Sequence, residues 1–391
     1  MRSAIGGSLA SSMTESPIWI AGDSALAEAC QLWSSADVLA LDTEFVRTET
    51  YFARLGLIQV ALDGRCSLID PLTISDWSAL VEILENPAII KVFHSLSEDA
   101  EVLLNSTGAR VAPVFDTQIA AALANHDLQM GFARLVAAEF DVQLPKEATR
   151  SDWLKRPLDA VQCEYAAADV YWLEKLFNRL APALRDQKRF DWVVEDSNRA
   201  AADSLPTDPA VYYLRLRGAW KLKGERLMAL QQLAQWRELQ AREQDVNRSR
   251  ILSDAEIIQV ADTMPTSLAA LGNLKGLHPR KVRLFGDAIL NILDQAKASP
   301  REQWPARVPG PLPVAQADLM RDLKTHLGEL AEQLSVPVEV LARRKQLEAL
   351  VRSGYPQGEY QVPAPLQGWR QSLVAEPLVQ YLEEQRDAAD E

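Results

Sequence analysis

The sequence predicts an α/β domain, a mixed sheet with packed helices, followed by two all-α helical modules. Three observations lead there. Short, β-branched apolar runs fill the first hundred residues; apolar spacing of three and four takes over from residue 97; and two proline-bearing breaks, at 203–209 and 299–313, divide the rest.

VLAL at 38–41, LIQVAL at 57–62, CSLI at 66–69 and IIKVF at 89–93 read as strands. The Asp63-Gly64 pair predicts a hairpin between the second and third. From 97 onward, SEDAEVLLNS, DTQIAAALANH, GFARLVAAEF and DAVQCEYAAADVYWLEKLFNRL carry the periodicity of amphipathic helices. Strands first and helices after imply helices packed on a mixed sheet. DSLPTDP at 203–209 then breaks the pattern, and every later segment is helical. The second break holds five prolines. The modules on either side of it, each a long helix, a Val-bearing turn and another helix, look like faint copies of one another.

A chain of 391 residues has room for two or three domains. The boundaries expected are a disordered leader at 1–16, the α/β domain at 17–203, and helical modules at 204–297 and 298–391. The leader, MRSAIGGSLASSMTES, lacks the apolar stretch of a secretory signal, and Met13 is a second candidate start. With 48% hydrophobic and 24% charged residues the composition is that of a soluble globular protein, and no run is long enough to span a membrane. Cys30, Cys66 and Cys163 have no paired or metal-ligand spacing, which fits a reduced cytoplasmic protein.

The net charge of −13 is unevenly spread. Residues 1–210 carry 17 Lys and Arg against 31 Asp and Glu, whereas 211–295 carry 13 against 9 and 296–391 carry 11 against 14. The middle module is the basic one, and its cations gather in WKLKGER and KGLHPRKVR: Lys221, Lys223, Arg226, Lys275, Arg280, Lys281 and Arg283. That asymmetry points to a nucleic-acid surface. A solvated helix face with a slight basic excess explains it equally simply.

The chemistry starts in LALDTEFVRTET at 39–50, where Asp42 and Glu44 follow directly on an apolar strand. The simplest account is a strand that surfaces there. Two carboxylates at the edge of a core otherwise cost free energy by burial and by mutual repulsion. In a strand, positions 42 and 44 share a face. A second cluster, Glu98 and Asp99, stands in the first turn of a helix, where acids also favour the helix dipole. Asp116, in VFDTQ, is read as a helix cap. In CEYAAADVYWL, Tyr165 and Asp169 sit one turn apart on a helical face, with three alanines between them. If Asp42, Glu44, Asp99 and Asp169 converge, cations must lie among them, and hard oxygen donors match Mg2+ or Mn2+. Two such ions about 4 Å apart serve in-line displacement at a phosphodiester.

At these residues the chain resembles the DEDD superfamily of 3′-5′ exonucleases. Asp42-Thr43-Glu44 matches the D-x-E motif, Asp99 the second acidic motif, and Tyr165 with Asp169 the Y-x-x-x-D motif of the tyrosine-bearing subgroup, nearest to the ribonuclease D family. DTEFVRTETYFARLGLIQVA, KVFHSLSEDAEVL, FDTQIAAAL and TRSDWLKRPL support it, over about 38–185. Residues 211–295 resemble the helical HRDC domain, and the chain from about 313 a second, more diverged one. The resemblance implies a ribonuclease H-like sheet and two divalent ions, Mg2+ or Mn2+. Asp42, Glu44 and Asp169 would hold one; Asp42 would share the other with Asp99, directly or through water. Tyr165 would position the attacking water. Its phenol is a poor base near neutral pH but a good hydrogen-bond partner. Thr43, Phe45 and His94 are the expected substrate contacts; for Phe45 and His94 a core aromatic and a structural histidine are the competing readings. Trp153 reads as loop packing.

The function implied is a metal-dependent 3′-5′ exoribonuclease that releases nucleoside 5′-monophosphates. Its RNA would include tRNA precursors with single-stranded 3′ ends, and the protein would work as a cytoplasmic monomer without a membrane partner. Two readings compete. A DNA 3′-5′ exonuclease uses the same acids, but no polymerase or helicase region accompanies them. A non-catalytic nucleic-acid adaptor is disfavoured by the intact set of acids and Tyr165, any of which drift was free to erase.

Overall fold

The computed structural model describes residues 16–144, 151–313, 316–355 and 358–390. The expected leader, Ser16 excepted, and both candidate start methionines lie outside the described residues. The described parts of Met1–Val46, Arg54–Leu205 and Leu312–Glu391 form one compact unit, and Arg47–Ala53 with Pro206–Pro311 form a second.

The first unit is built on six strands, β1 (Ile18–Ile20), β2 (Val38–Val46), β3 (Arg54–Leu62), β4 (Arg65–Ile69), β5 (Ile90–Phe93) and β6 (Val114–Asp116), in the order β1-β4-β3-β2-β5-β6. The β2–β3 and β3–β4 pairs are antiparallel; β2–β5, β5–β6 and β1–β4 are parallel. The mixed sheet is the one expected. Asp63 and Gly64 turn β3 into β4 with φ of 52° and 78°, the positive values a tight right-twisting hairpin requires. The sequence pattern does not predict β1 and β6. Three residues are too few to express a period of two, and these strands form because β4 and β5 offer them backbone partners. β2 runs on past VLAL through both acids, which places Asp42 and Glu44 within the ladder rather than beyond it.

Helices α1 (Asp23–Trp33), α2 (Ser78–Glu85), α3 (Ser97–Thr107), α4 (Thr117–Leu123), α5 (Phe132–Phe140), α6 (Ala160–Asp186) and α7 (Phe190–Asp203) complete the α/β portion. The 27-residue α6 starts at a capping box in which Asp159 accepts from the Gln162 amide. It lies across β2, β3 and β4, and its alanines allow that approach: Ala166 and Ala167 are fully buried, and Cys66 Sγ reaches the Ala167 carbonyl at 3.4 Å.

The second unit holds α8 (Glu225–Glu243), α9 (Arg248–Ile251), α10 (Asp254–Thr263), α11 (Leu268–Gly272) and α12 (Pro279–Ala298) around its own apolar core, which includes Leu230, Leu233, Ile257, Val260, Ile289 and Leu293. Residues 47–53, the connection from β2 to β3, belong to this unit. Tyr51 is buried there, its hydroxyl 3.0 Å from Glu238 Oε2 and 2.9 Å from both Arg242 Nε and Arg248 Nη2. Asp245 Oδ1 accepts from the Tyr51 and Phe52 amides at 3.1 and 3.0 Å.

The last helices, α13 (Ala317–Leu334), α14 (Val338–Leu341), α15 (Arg344–Gly354) and α16 (Glu376–Asp390), are helical as expected. They do not stand apart: Leu323, Leu327, Leu350 and Leu378 join the same buried cluster as Phe115, Leu173 and Leu176 of the α/β portion. Against α7, Trp369 stacks on Trp192 with centroids 4.4 Å apart, and Arg370 grips Asp196 with two bonds of 2.5 and 2.7 Å. Among the described residues no helix is long and apolar enough to cross a membrane.

Candidate active site

β2 presents Asp42 and Glu44 on the sheet face that α6 covers, and α6 brings Asp169 to them. One carboxylate oxygen from each of the three lies within 4.8 Å of the others. The consequence of packing these acids together is read in their proton affinities. Burial first, and then Asp169, pushes Asp42 well above the usual carboxylate range. Burial raises Glu44 to about 9, reinforced by Asp42, Asp169 and Asp99. Burial raises Asp169 as well, opposed by the nearby Tyr165 hydroxyl one turn earlier on α6. Three hard oxygen donors that repel one another at close range form a donor set that fits a divalent cation.

A β-bulge shapes this edge. Glu44 pairs with Leu57 and Phe45 with Leu55, so Gly56 is the extra residue on β3. A Cβ at 56 would stand 2.7 Å from the Trp153 Cβ, and only glycine allows that close approach. Arg156 fixes the same loop, reaching the Gly56 carbonyl at 2.7 Å and both Asp70 oxygens at 2.7 and 2.9 Å. Trp153 is buried beside Tyr165, ring centroids 6.3 Å apart, in a cluster with Leu57, Leu68 and Ala166. The loop thus forms a wall that limits where the phenol can point. Burial, followed by Asp169 and Glu44, raises the Tyr165 hydroxyl above its ordinary value and keeps it a donor.

Asp99 stands apart from the three. It is buried in the first turn of α3, and its Oδ1 accepts from the Thr43 hydroxyl at 2.5 Å. Burial and then Asp42 raise its proton affinity, while Thr43 opposes. Thr43, an expected substrate contact, has its side chain turned to Asp99. His94, another expected contact, pairs through Nδ1 with Thr117 Oγ1 at 2.9 Å and meets Phe132 edge-on at 5.4 Å. Among the described residues its Nε2 is buried without a hydrogen-bond partner, and burial lowers its proton affinity, opposed by Asp116 and then by the Met130 carbonyl. Phe45 is half-buried, next to the bulge.

From its local sequence Asp116 reads as a cap only. It does cap α4, accepting from the Gln118 amide at 2.8 Å, but it also accepts from the Ser95 and Leu96 amides at 2.9 and 3.0 Å. It therefore holds the turn from β5 into α3 that carries Asp99. The signal for this is the parallel pairing of β5 with β6, a three-residue strand no periodicity reveals.

The basic residues expected in the second unit are mostly exposed, but two are committed: Arg226 pairs with Asp262 at 2.9 Å, and Lys281 reaches Glu256 at 2.7 Å and the Ser249 carbonyl at 2.9 Å.

Comparison with known proteins identifies the family. Residues 17–185 match a 3′-5′ exonuclease family, 226–293 the HRDC domain, and 317–378 the C-terminal HRDC domain of ribonuclease D. Ribonuclease D of Pseudomonas paraeruginosa is 39% identical over 93% of this chain and 97% of its own length. The chain belongs to the ribonuclease D family. Its Escherichia coli member is 35% identical over 93% of this chain and 98% of its own. The crystal structure of Escherichia coli RNase D, an exoribonuclease involved in structured RNA processing, superposes with a TM-score of 0.88 at 34% identity, covering 95% of this chain and 99% of that one. The chain is accordingly a 3′-5′ exoribonuclease, with the ribonuclease D arrangement of a mixed-sheet nuclease domain and helical HRDC domains.

Proposed function

We propose that this exoribonuclease uses two divalent ions, Mg2+ or Mn2+, to remove nucleotides from single-stranded RNA 3′ ends as 5′-monophosphates, with tRNA precursors and other small structured RNAs as substrates. The observation that carries the reading is the approach of Asp42, Glu44 and Asp169 to within 4.8 Å of one another at the covered end of β2. Asp42, Glu44 and Asp169 would hold one ion, and Asp42 with Asp99 would hold the other. The ions, when bound, lower the pKa of water and neutralise charge at the phosphodiester.

The remaining roles belong to side chains of the chain itself. Tyr165, kept protonated by burial and by the neighbouring Asp169, orients the attacking water by its hydroxyl. Thr43 steadies Asp99. Phe45, half-buried at the bulge, stacks on the terminal base. His94 is held by Thr117 at the start of α4. Residues 17–203 carry out the chemistry, 204–297 hold the RNA body through exposed cations such as Lys275 and Arg283, and 298–391 form a second HRDC-like domain. It acts as a cytoplasmic monomer.

The test is release of monophosphates from a 3′-labelled single strand, with Mg2+, Mn2+ or chelator, on matched RNA and DNA. Cleavage that survives chelation, or that prefers DNA, overturns the metal or the substrate reading respectively. Sequencing the 3′ ends of cellular RNAs with and without the protein identifies the substrates.

A further inference from the structure

Gln59 occupies the centre of β3, between β2 and β4, with no solvent exposure. Its Oε1 and its Nε2 both lack a hydrogen-bond partner; among the described residues no other buried side-chain amide is unpaired at both ends. A buried amide left so costs free energy that leucine or methionine in its place would not. The strand could have carried either, since its neighbours Ile58, Val60 and Ala61 are apolar.

The register gives the amide a purpose. Gln59 is the cross-strand partner of Asp42 on one side and of Leu68 on the other. Directly opposed residues of an antiparallel pair point to the same face, with Cβ atoms about 5 Å apart. Leu57, two residues earlier on β3, and Leu68 both pack on Ala166 of α6. Gln59 therefore shares the face that carries Asp42 and Glu44 and that α6 closes with Asp169. An amide at this distance reaches a carboxylate opposite by a side-chain rotation, without movement of the backbone.

We infer that Gln59 is a positioning residue for the metal site: its Nε2 donates to the inner oxygen of Asp42, so that the outer oxygen is presented to the cations. A neutral donor suits the position better than lysine or arginine, because it orients the carboxylate without competing with the ions for its charge. The outcome is a ligand set held in one rotamer before cation and RNA arrive, which hydrogen bonds from residues behind the ligands commonly provide. This inference rests on the proposal that Asp42 is a ligand.

The experiment compares the full chain with Gln59→Leu and Gln59→Met, which remove both polar atoms at similar volume, with Asp42→Asn as control. Mn2+ affinity is measured by calorimetry in the absence of RNA, alongside thermal melting and steady-state cleavage. Gln59→Leu and Gln59→Met are expected to melt at or above the wild-type temperature, yet to bind Mn2+ about 10-fold or more weakly. Their kcat falls while KM for RNA holds. Wild-type Mn2+ affinity in both variants overturns the inference. Failure of both to fold also overturns it, since the amide is then required by the fold itself. If Asp42→Asn keeps full Mn2+ affinity, the metal-site reading fails instead, independently of Gln59.

Discussion

The Thr43 hydroxyl donates to Asp99 at 2.5 Å, across 56 positions of sequence. Thr43 lies between two acids of β2, so a single bond ties the middle of the D-x-E motif to the acid on α3. Thr43→Val keeps the shape and the β-branched fit to the strand but frees the Asp99 carboxylate. Loss of such a supporting bond lowers activity by roughly 10- to 100-fold. The expected fall is in kcat, with KM for RNA unchanged, and Thr43→Ser should recover most of it. A Thr43→Val variant that raises KM alone would return this side chain to the role of a substrate contact.

Removing only the Tyr165 hydroxyl, as Tyr165→Phe, is expected to slow turnover severely, by two orders of magnitude or so, a loss typical of a removed hydrogen-bond donor or proton-handling group. Binding of RNA to the variant, measured in chelator, should stay near wild type. Asp42→Asn and Asp169→Asn should abolish cleavage while the protein still melts cooperatively. Cleavage within a few-fold of wild type in Tyr165→Phe makes the phenol a packing group beside Trp153.

The pH dependence of stability follows from the raised acids. Asp42, Glu44 and Asp169 hold protons in the folded, ion-free protein at pH values where the unfolded chain has released them. Wherever the folded state binds more protons, stability falls as pH rises. For Glu44 that interval runs from its ordinary value of 4.5 to about 9. In chelator, Glu44→Gln should therefore gain stability relative to wild type as pH rises from about 5.5 to about 8.5, inside that interval. Added Mg2+ should stabilise the wild type more at the upper end, because it competes with protons for the same oxygens. A wild-type minus Glu44→Gln difference that is flat across this range, measured by thermal melting, contradicts the prediction.

Tyr51 anchors residues 47–53 in the second unit through a hydroxyl shared by Glu238, Arg242 and Arg248. Tyr51→Phe leaves fully buried Glu238 with Arg248 at 2.6 Å but one donor short. The expected cost is about 1–3 kcal/mol, read from urea denaturation. A loss below about 0.5 kcal/mol, the level of an ordinary surface change, would mean that the ring alone holds the segment.

RNA binding by the second unit is best tested by side chain rather than by truncation. A chain ending at 205 also loses Trp369 and Arg370, which bury against α7. Lys275→Gln and Arg283→Gln, at exposed positions, should weaken binding of a structured RNA. The slope of log affinity against log salt should shrink by about 0.7 for each single-strand phosphate that is no longer neutralised. Unchanged slopes in both variants would assign the basic excess to solvent.

Much of this protein can be read from residues close together in the chain. Apolar runs of four to six residues predict β2 to β5 because strand pairing needs only local alternation and burial. Asp63-Gly64 predicts its hairpin because only residues tolerant of positive φ make that turn. D-x-E and Y-x-x-x-D are legible because strand and helix periods put each pair on one face. What the sequence does not express is which faces meet. Nothing local connects Thr43 to Asp99, and Asp116 reads as a cap only because β6 is too short to show a period. The Gly56 bulge and the orphaned amide of Gln59 become visible only when β3 is laid between β2 and β4. The packing of α13 to α16 on the nuclease core depends on Trp192, Asp196, Trp369 and Arg370, pairs more than 170 positions apart that no repeat or spacing connects. Local free energies select the elements; long-range burial and hydrogen bonding, which are summed only in the folded chain, select their partners.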